Sequence, residues 1–201
     1  KSLLLFYGVV IPEQREMGHW SRRFIQWIEG IQMERTSGDV ALKLHLEELC
    51  HLRQIIAKLN RSIVALARTE EYRGWISLLK TIPGISTLTA MIVLTELYEI
   101  TRFHSLDQLC SYVGLIPDTQ GSGEKEHGGG MTQRHHSSLR WLLIEASWIA
   151  VRKDPAMMEA FNEYCKRMGK SKAIIKIARK LLNRVRYVLK NQAEYVTGVI
   201  E

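Results

Sequence analysis

A serine between two glycines is the residue of this sequence with the best case for nucleophilic chemistry. Ser122 lies in Gly121-Ser122-Gly123, where no neighbouring side chain crowds its hydroxyl. A serine nucleophile needs a base or a cation beside it. Such helpers follow closely in the sequence: Glu124, Lys125, Glu126, His127, Thr132, His135, His136 and Arg140. The triplet alone is also typical of a plain flexible loop, so both interpretations stay open.

Metal ligands are not indicated by the spacing of the histidines and cysteines. Adjacent histidines such as His135 and His136 seldom face one ion, and no carboxylate stands at helical spacing beside them. We therefore expect no metal site in this chain. The three cysteines, Cys50, Cys110 and Cys165, are too far apart in the sequence to form a Cys-x-x-Cys motif, which favours reduced thiols in a cytoplasmic protein. Three aspartates are expected to be caps or turn residues: Asp107, Asp118 and Asp154.

Basic side chains are concentrated near the end of the chain. No acidic residue interrupts residues 166–190, and the formal net charge of the chain is +7. A stretch of one sign suits a phosphate backbone, because neutralising phosphates releases counterions. A merely solvated helix face, which normally mixes signs, is the alternative. The predicted DNA-binding residues of this segment are Lys172, Lys176, Arg179, Lys180 and Arg184.

A tight turn between two helical segments is a second candidate for phosphate contact. Pro83 disfavours helix in the residue before it, and Gly84 can adopt a left-handed backbone. Ser86 or Thr87 can then cap the next helix. With Ile85, these residues form the pattern of a helix-hairpin-helix, whose turn amides bind phosphate; an ordinary packed hairpin is the alternative. The predicted buried face of the second helix is Leu88, Met91, Ile92 and Thr95.

A long helix is predicted over residues 40–68, which contain no proline or glycine. Apolar residues recur there mostly at steps of three and four: Leu42, Leu49, Leu52, Ile56, Leu59, Ile63 and Leu66. This repeat predicts a coiled coil or a long antiparallel hairpin. Self-association and packing against another helix of the same chain both stay open.

The remaining sequence predicts helices and almost no strand. Residues 114–132 lack helical periodicity, and at most a short hairpin could flank them. We predict an all-α fold, with a coiled-coil connector at 1–72 and a compact helix-hairpin-helix-containing domain at 73–201. Its last helix would be capped by Ser171 and would bury Ile174, Ile177, Leu181, Val185 and Val188. No apolar run is long enough to span a membrane.

The order of these motifs resembles the C-terminal half of a transposase family. The motifs are Ile82-Pro83-Gly84-Ile85, Thr89-Ala90, Arg102-Phe103, Leu109-Cys110-Ser111-Tyr112-Val113-Gly114-Leu115-Ile116-Pro117, Ser122-Gly123 and Leu139-Arg140. The family is that of the DEDD-type insertion-sequence transposases, which are related to pilin-gene-inverting site-specific recombinases. The similarity covers about residues 75–195, and the helical arm before it is similar to the coiled-coil connector of that family.

The resemblance implies a mechanism for DNA transposition. Ser122 would attack a DNA phosphodiester and hold the strand as a phosphoserine, while Lys125 and Arg140 neutralise the phosphate. Mg²⁺ would be held by four acidic residues of an N-terminal RuvC-like domain. That domain is expected to precede this sequence, so the fragment alone is not expected to complete strand exchange. The implied partners are DNA, a structured guide RNA and further copies of the chain, joined as a homodimer or higher oligomer through the coiled coil.

One position departs from the family pattern. His135-His136 stands where the family often has Gly-Asn, which changes the expected geometry before Leu139-Arg140. Two other functions stay open from the residues alone. One is a non-catalytic helix-hairpin-helix module that binds DNA, and the other is a coiled-coil interaction protein with incidental basic charge.

Overall fold

Helices dominate the part of the chain that the computed structural model describes. These residues are 1–121, 126–131 and 136–198, with the backbone alone described at 117–121 and 126–131. The helices are α1 Ser2–Phe6, α2 Arg22–Glu29, α3 Thr36–Leu66, α4 Glu70–Lys80, α5 Thr87–Leu97, α6 Leu106–Val113, α7 Ser137–Lys153, α8 Pro155–Cys165 and α9 Lys170–Asn191, with a 3-10 helix at Ile100–Arg102. Strands β1, Pro117–Gly121, and β2, Glu126–Met131, pair antiparallel. The all-α prediction is confirmed, and the one sheet of the described residues is the short hairpin that the glycine-rich segment allowed.

The chain divides into two compact units, Lys1–Arg61 and Ser62–Glu201. The first unit has its own small core: Leu4, Phe24, Ile25, Ile28, Met33 and Leu42. Its helix α2 begins after Ser21, whose hydroxyl accepts a 3.1 Å hydrogen bond from the amide of Phe24. The division at 72/73 stays a prediction about domains.

Helix α9 lies at the centre of the second unit. Its predicted core residues are all buried: Ile174, Ile177, Leu181, Val185 and Val188. Helices α4, α6, α7 and α8 pack against it. The predicted Ser171 cap is wrong, because the extended backbone of Gly169 precedes the helix and places Ser171 inside the first turn.

The turn between α4 and α5 lies directly on the backbone of α7. Gly84 has a φ of +95°, and a Cβ built there would be 2.3 Å from the carbonyl oxygen of Ala146. Only glycine satisfies both the left-handed backbone and this close approach. Ile82 and Ile85, on either side of Pro83 and Gly84, are buried and hold the turn in the core.

The predicted buried face of α5 is wrong in part. Thr95 is exposed, and its hydroxyl donates back to the carbonyl of Met91 at 2.9 Å. The buried positions instead go round the helix: Thr89, Ala90, Met91, Val93 and Leu97. The reason is that α5 packs between α4 and α7, so two sides of it are covered.

Helix α3 leaves much of its apolar repeat uncovered. Leu42 is buried in the first unit, and Ile63 packs against the core of the second. Leu52, Ile56 and Leu59 between them are exposed. Among the helices that the structure describes, none combines the length and apolar character needed to cross a bilayer.

Candidate nucleic-acid interface

The outer side of α9 presents a row of exposed lysines. Lys172, Lys176, Lys180 and Lys190 are all exposed, and helical geometry puts them on one side because they recur at nearly whole numbers of turns. We call these four residues the lysine face. The row extends about 27 Å along the helix, given a rise of about 1.5 Å per residue. Ile174, Ala178 and Val185 bury the opposite side, so core packing holds the lysine face outward.

The arginines of α9 do not share this outward position. The guanidinium of Arg179 donates to the carboxylate of Asp107 at the start of α6. Arg186 donates to the carbonyl of His104 at 3.3 Å. The prediction that Asp107 is a cap is wrong, because Ser105 caps α6 by accepting from the amide of Gln108 at 3.2 Å. These two arginines therefore connect α9 to the residues that begin α6.

Arg184 faces the C-terminal tail of the described chain. Its guanidinium lies 5.6 Å from the centre of the Tyr195 ring. The Tyr195 hydroxyl donates to the buried carboxylate of Asp154, and its backbone amide donates to the Thr81 hydroxyl at 2.8 Å. Burial, followed by the hydrogen bond to Asp154, raises the pKa of Tyr195 to about 12. Asp154 also caps α8 through the amide of Ala156, which confirms its predicted role.

The predicted phosphate-binding turn has a clear packing role. Gly84 and Ile85 are held against the core, while Pro83 and Thr87 are half-buried. Ser86 is exposed, and its hydroxyl accepts a 3.1 Å hydrogen bond from the amide of Thr89. One first-turn amide of α5 thus already has a protein partner. Phosphate contact at this turn stays a prediction.

The predicted catalytic serine and one of its predicted helpers lie between β1 and β2 along the sequence. Ser122 and Lys125 lie outside the described residues. Ser122 directly follows β1, whose last residue, Gly121, pairs with Glu126 of β2. Arg140 is half-buried in α7, where its amide donates to the carbonyl of His136 at 2.9 Å. Arg140 therefore lies just after the segment that contains the serine.

A polar cluster joins the two ends of that segment. The His136 Nε2 lies 2.7 Å from a carboxylate oxygen of Glu96, at the end of α5. The Tyr112 hydroxyl donates to the Glu96 carbonyl at 3.2 Å, and Arg102 donates to the same carbonyl at 3.4 Å. The Arg102 guanidinium also stacks on the rings of Phe103 and Tyr112, 4.6 and 4.8 Å from their centres. Glu96 is thus the common partner of three side chains.

His136 occupies a defined position in this cluster. Its Nδ1 accepts from the amide of Leu139 at 3.3 Å, so it caps α7, and its own amide donates to the Tyr112 carbonyl at 3.4 Å. An accepting Nδ1 requires the proton on Nε2, which then donates to Glu96. The sequence indicated His136 only as a helper of Ser122. Nothing in it pointed to Glu96, which is far away along the chain.

No metal site is found in this cluster or elsewhere in the described part of the chain, and the buried thiol of Cys110 is not set up to react. No three histidine, cysteine, aspartate or glutamate side chains of the described residues converge to hold an ion. All three cysteines are free, and burial raises the pKa of Cys110 to about 11. That thiol is protonated at neutral pH and is a poor nucleophile.

Comparison with known proteins finds similarity to a transposase family. Residues 76–162 match the Transposase IS116/IS110/IS902 family. The chain is 28% identical over 158 residues to the transposase for insertion sequence element IS1111A of Coxiella burnetii, covering 75% of this chain and 42% of that protein. It is 30% identical over 190 residues to the pilin gene-inverting protein of Moraxella bovis, covering 85% of this chain and 52% of that protein.

The chain spans about half or less of the length of these curated relatives. The matched region runs from α4 into α8, and it includes the α4–α5 turn, the Glu96 cluster and the hairpin with its flanking residues. Over residues 76–162 the chain is therefore similar to the Transposase IS116/IS110/IS902 family.

Proposed function

We propose that this chain is the DNA-handling part of an insertion-sequence transposase or site-specific recombinase. The lysine face carries this proposal, because it is a single-sign row held outward by a buried helix face. The relatives named as a transposase and as a pilin gene-inverting protein support the same class of reaction. The alternative of a coiled-coil interaction protein leaves the transposase-family match unexplained.

Binding to the lysine face depends on salt in a way that can be calculated. Each phosphate contact by a lysine lowers the slope of log K against log salt by roughly 0.9 for B-form DNA. Changing Lys172, Lys176 and Lys180 together to glutamine is therefore expected to remove roughly three units of slope. The measurement is the affinity for a duplex oligonucleotide at a series of salt concentrations.

A charge-matched control separates the lysine face from the net charge. Lys43, Lys58 and Lys80 are also exposed, but they lie outside α9. The triple glutamine variant at these positions removes the same charge and is expected to keep most of the affinity and slope. Equal losses in the two triple variants would show that binding follows net charge alone and would overturn the lysine face.

We infer that Ser122 supplies the nucleophile, supported by its sequence motif and by the family match. Its Oγ would form an ester with phosphorus as the bond from phosphorus to the leaving strand oxygen breaks. The serine proton leaves and a proton reaches the departing oxygen. Lys125 and Arg140 would neutralise charge on the phosphate. The Mg²⁺ expected for such enzymes stays with the acidic RuvC-like domain that the resemblance implies.

The test of the nucleophile uses the full-length transposase. Ser122→Ala is expected to keep duplex binding and to abolish recombination products and any denaturant-resistant protein–DNA adduct. Arg140→Lys is expected to lower product yield less severely, since one charge is kept without the two-pronged guanidinium. Recombination by Ser122→Ala at the wild-type level would leave the non-catalytic DNA-binding module as the better function.

We propose that the Glu96 cluster sets the position of the hairpin that leads to Ser122. The contacts of Tyr112 and His136 hold the residues before β1 and after β2 near each other. Glu96→Gln keeps an acceptor for His136 and is expected to retain more recombination than Glu96→Ala. Equal activity of the two variants and wild type would remove this role.

We further propose that α3 pairs with α3 of a second copy. Exposed Leu52, Ile56 and Leu59 form a stripe whose burial in a coiled coil would be favourable. Ile56→Lys is expected to lower the mass measured by sedimentation, whereas Gln54→Lys, at an exposed position on the opposite side of α3 from the stripe, is not. A competition assay tests whether the lysine face also contacts a guide RNA. RNA and duplex DNA compete for the wild-type chain and for the triple glutamine variant of the lysine face.

A further inference from the structure

An aromatic cavity lies where the end of α9 meets α4 and the end of α5. Its volume is about 540 Å³, within the range of small-molecule sites, roughly 300–1,000 Å³. Its walls include the rings of Tyr72, Trp75 and Tyr98 and the aliphatic side chains of Leu94 and Leu189. All of these residues belong to the second compact unit. The cavity therefore offers planar apolar surfaces to a flat ligand.

Tyr98 is held in an unusual conformation at this cavity. Its φ is +54° and its ψ is −93°, a backbone conformation that residues other than glycine rarely adopt. The residue is nevertheless 83% exposed. Strain of this kind is concentrated at functional sites, where the surrounding structure imposes it. Here it places a large aromatic ring at the opening of a cavity instead of in the core.

The lysine face leads to this cavity. Lys190 is the last residue of the lysine face and also lines the cavity. A strand whose phosphates follow the lysine face would therefore bring a nucleotide to the cavity opening. This continuity distinguishes the cavity from that lined by Ile28, Leu42 and Leu46 in the first unit, about 260 Å³ in volume.

The polar groups of the cavity suit the edge of a base. Glu71 and Glu99 line it, and the adjacent Glu71 carboxylate raises the pKa of the Tyr72 hydroxyl. Carboxylates accept hydrogen bonds from the amino groups of bases, but they repel phosphates. A nucleotide would therefore place its base in the cavity and its phosphate towards Lys190.

We infer that this cavity binds one unpaired nucleobase of a nucleic acid that lies along the lysine face, by stacking on Trp75 and Tyr98. The inference rests on the proposed nucleic-acid binding by α9 and adds a preference for strands with an extruded base. Stacking on aromatic side chains tolerates any base, so the preference is for an unpaired base and not for a sequence.

The experiment compares three duplexes that differ at one position, using the full chain. One duplex has a single bulged 2-aminopurine, one has an abasic bulge, and one is fully paired. The bulged base is expected to raise affinity between about fivefold and about a hundredfold over the other two duplexes, with quenching of 2-aminopurine fluorescence. Equal affinity for all three duplexes, without quenching, overturns the inference.

Two tyrosine variants provide the matched comparison. Tyr98→Gly removes the ring at a backbone conformation that glycine accepts, and Tyr187→Ala removes an exposed ring of α9 that does not line the cavity. Tyr98→Gly is expected to lose the preference for the bulged base and to keep its affinity for the paired duplex. Tyr187→Ala is expected to keep both. Retention of the preference in Tyr98→Gly would overturn the inference.

A single-stranded 2-aminopurine hexamer separates this inference from the proposed function. Quenching of the hexamer in wild type but not in Tyr98→Gly, without any duplex binding, would support the cavity and reject the duplex-binding role of the lysine face. Duplex binding that is lost in the lysine variants, with no quenching of either bulge or hexamer, would support the lysine face and reject the cavity.

Discussion

Helices α3 and α9 carry similar apolar repeats in different surroundings. In α9 the five predicted core residues are all buried, because α4, α6, α7 and α8 cover them. In α3 the corresponding Leu52, Ile56 and Leu59 are 48%, 56% and 55% exposed. Helical periodicity therefore identifies an apolar side of a helix, but burial depends on which other elements reach that side.

Helix α9 also separates its lysines from its arginines. The buried side of α9 leaves its opposite side as a row of lysines, whereas its arginines bond to the residues that begin α6 or face the tail. A basic run in a sequence thus separates into exposed lysines and half-buried, partnered arginines only after packing. Arginine suits the partnered positions because its planar group makes several hydrogen bonds and also stacks.

Truncating one leucine in each helix is expected to give the largest difference in the free energy of unfolding. Leu181→Ala in α9 is expected to lower the free energy of unfolding by roughly 2–5 kcal/mol, because it leaves a cavity in a packed core. Leu59→Ala in α3 is expected to cost less than about 1 kcal/mol in a monomer. Denaturant unfolding at several protein concentrations measures both. An equal cost for Leu59→Ala that grows with protein concentration would show that α3 is covered by another copy.

Two glycines extend the comparison between covered and open positions. Gly84→Ala is expected to cost roughly 2–4 kcal/mol, because its Cβ would meet the backbone of α7 at a positive φ. Gly74→Ala, in α4 with open space around it, is expected to stabilise the protein by about 0.5–1 kcal/mol. Thermal or denaturant unfolding distinguishes them by sign, and a harmless Gly84→Ala would contradict the close approach to α7.

Tyr195 tests how far the contact between the C-terminal tail and Asp154 depends on pH. Tyr195→Phe is expected to cost roughly 1.5–3 kcal/mol at neutral pH, because it leaves one oxygen of the buried Asp154 carboxylate without its donor. The pKa of Tyr195 is raised from about 10 to about 12, so its stabilisation is complete below pH 10 and is lost as the pH rises through 12. The stability difference between the proteins should shrink over that range, and a constant difference would contradict this assignment.

Thiol reactivity gives the smallest expected effect, a difference in rate without a change in stability. Cys110 is buried with a pKa raised to about 11, whereas Cys50 and Cys165 are half-buried. Iodoacetamide at pH 8 is expected to label Cys50 and Cys165 while leaving Cys110 intact in the folded protein. Mass spectrometry of the labelled peptides checks this, and rapid labelling of Cys110 would show that this part of the core opens.

The outcome of the sequence predictions follows the range of the interactions involved. Asp154 caps α8 as its local pattern indicated, and the helix boundaries around Pro83 and Gly84 follow from backbone chemistry. Asp107 was misassigned because its partner, Arg179, is distant in the chain. Glu96 gave no signal because its partners, Arg102, Tyr112 and His136, meet only after α5, α6 and α7 pack.

Caps, helix breaks and periodicity depend on neighbouring residues, so the helices and the buried side of α9 could be predicted from the sequence, as could the motif series that resembles the transposase family. Which cations of α9 are exposed, which leucines of α3 stay uncovered, and where Tyr72, Trp75 and Tyr98 come together depend on how the helices pack. Burial and hydrogen-bond partnership involve elements that are far apart along the chain. A basic run can be read from residue types, but an outward lysine face and an aromatic cavity exist only in the packed protein.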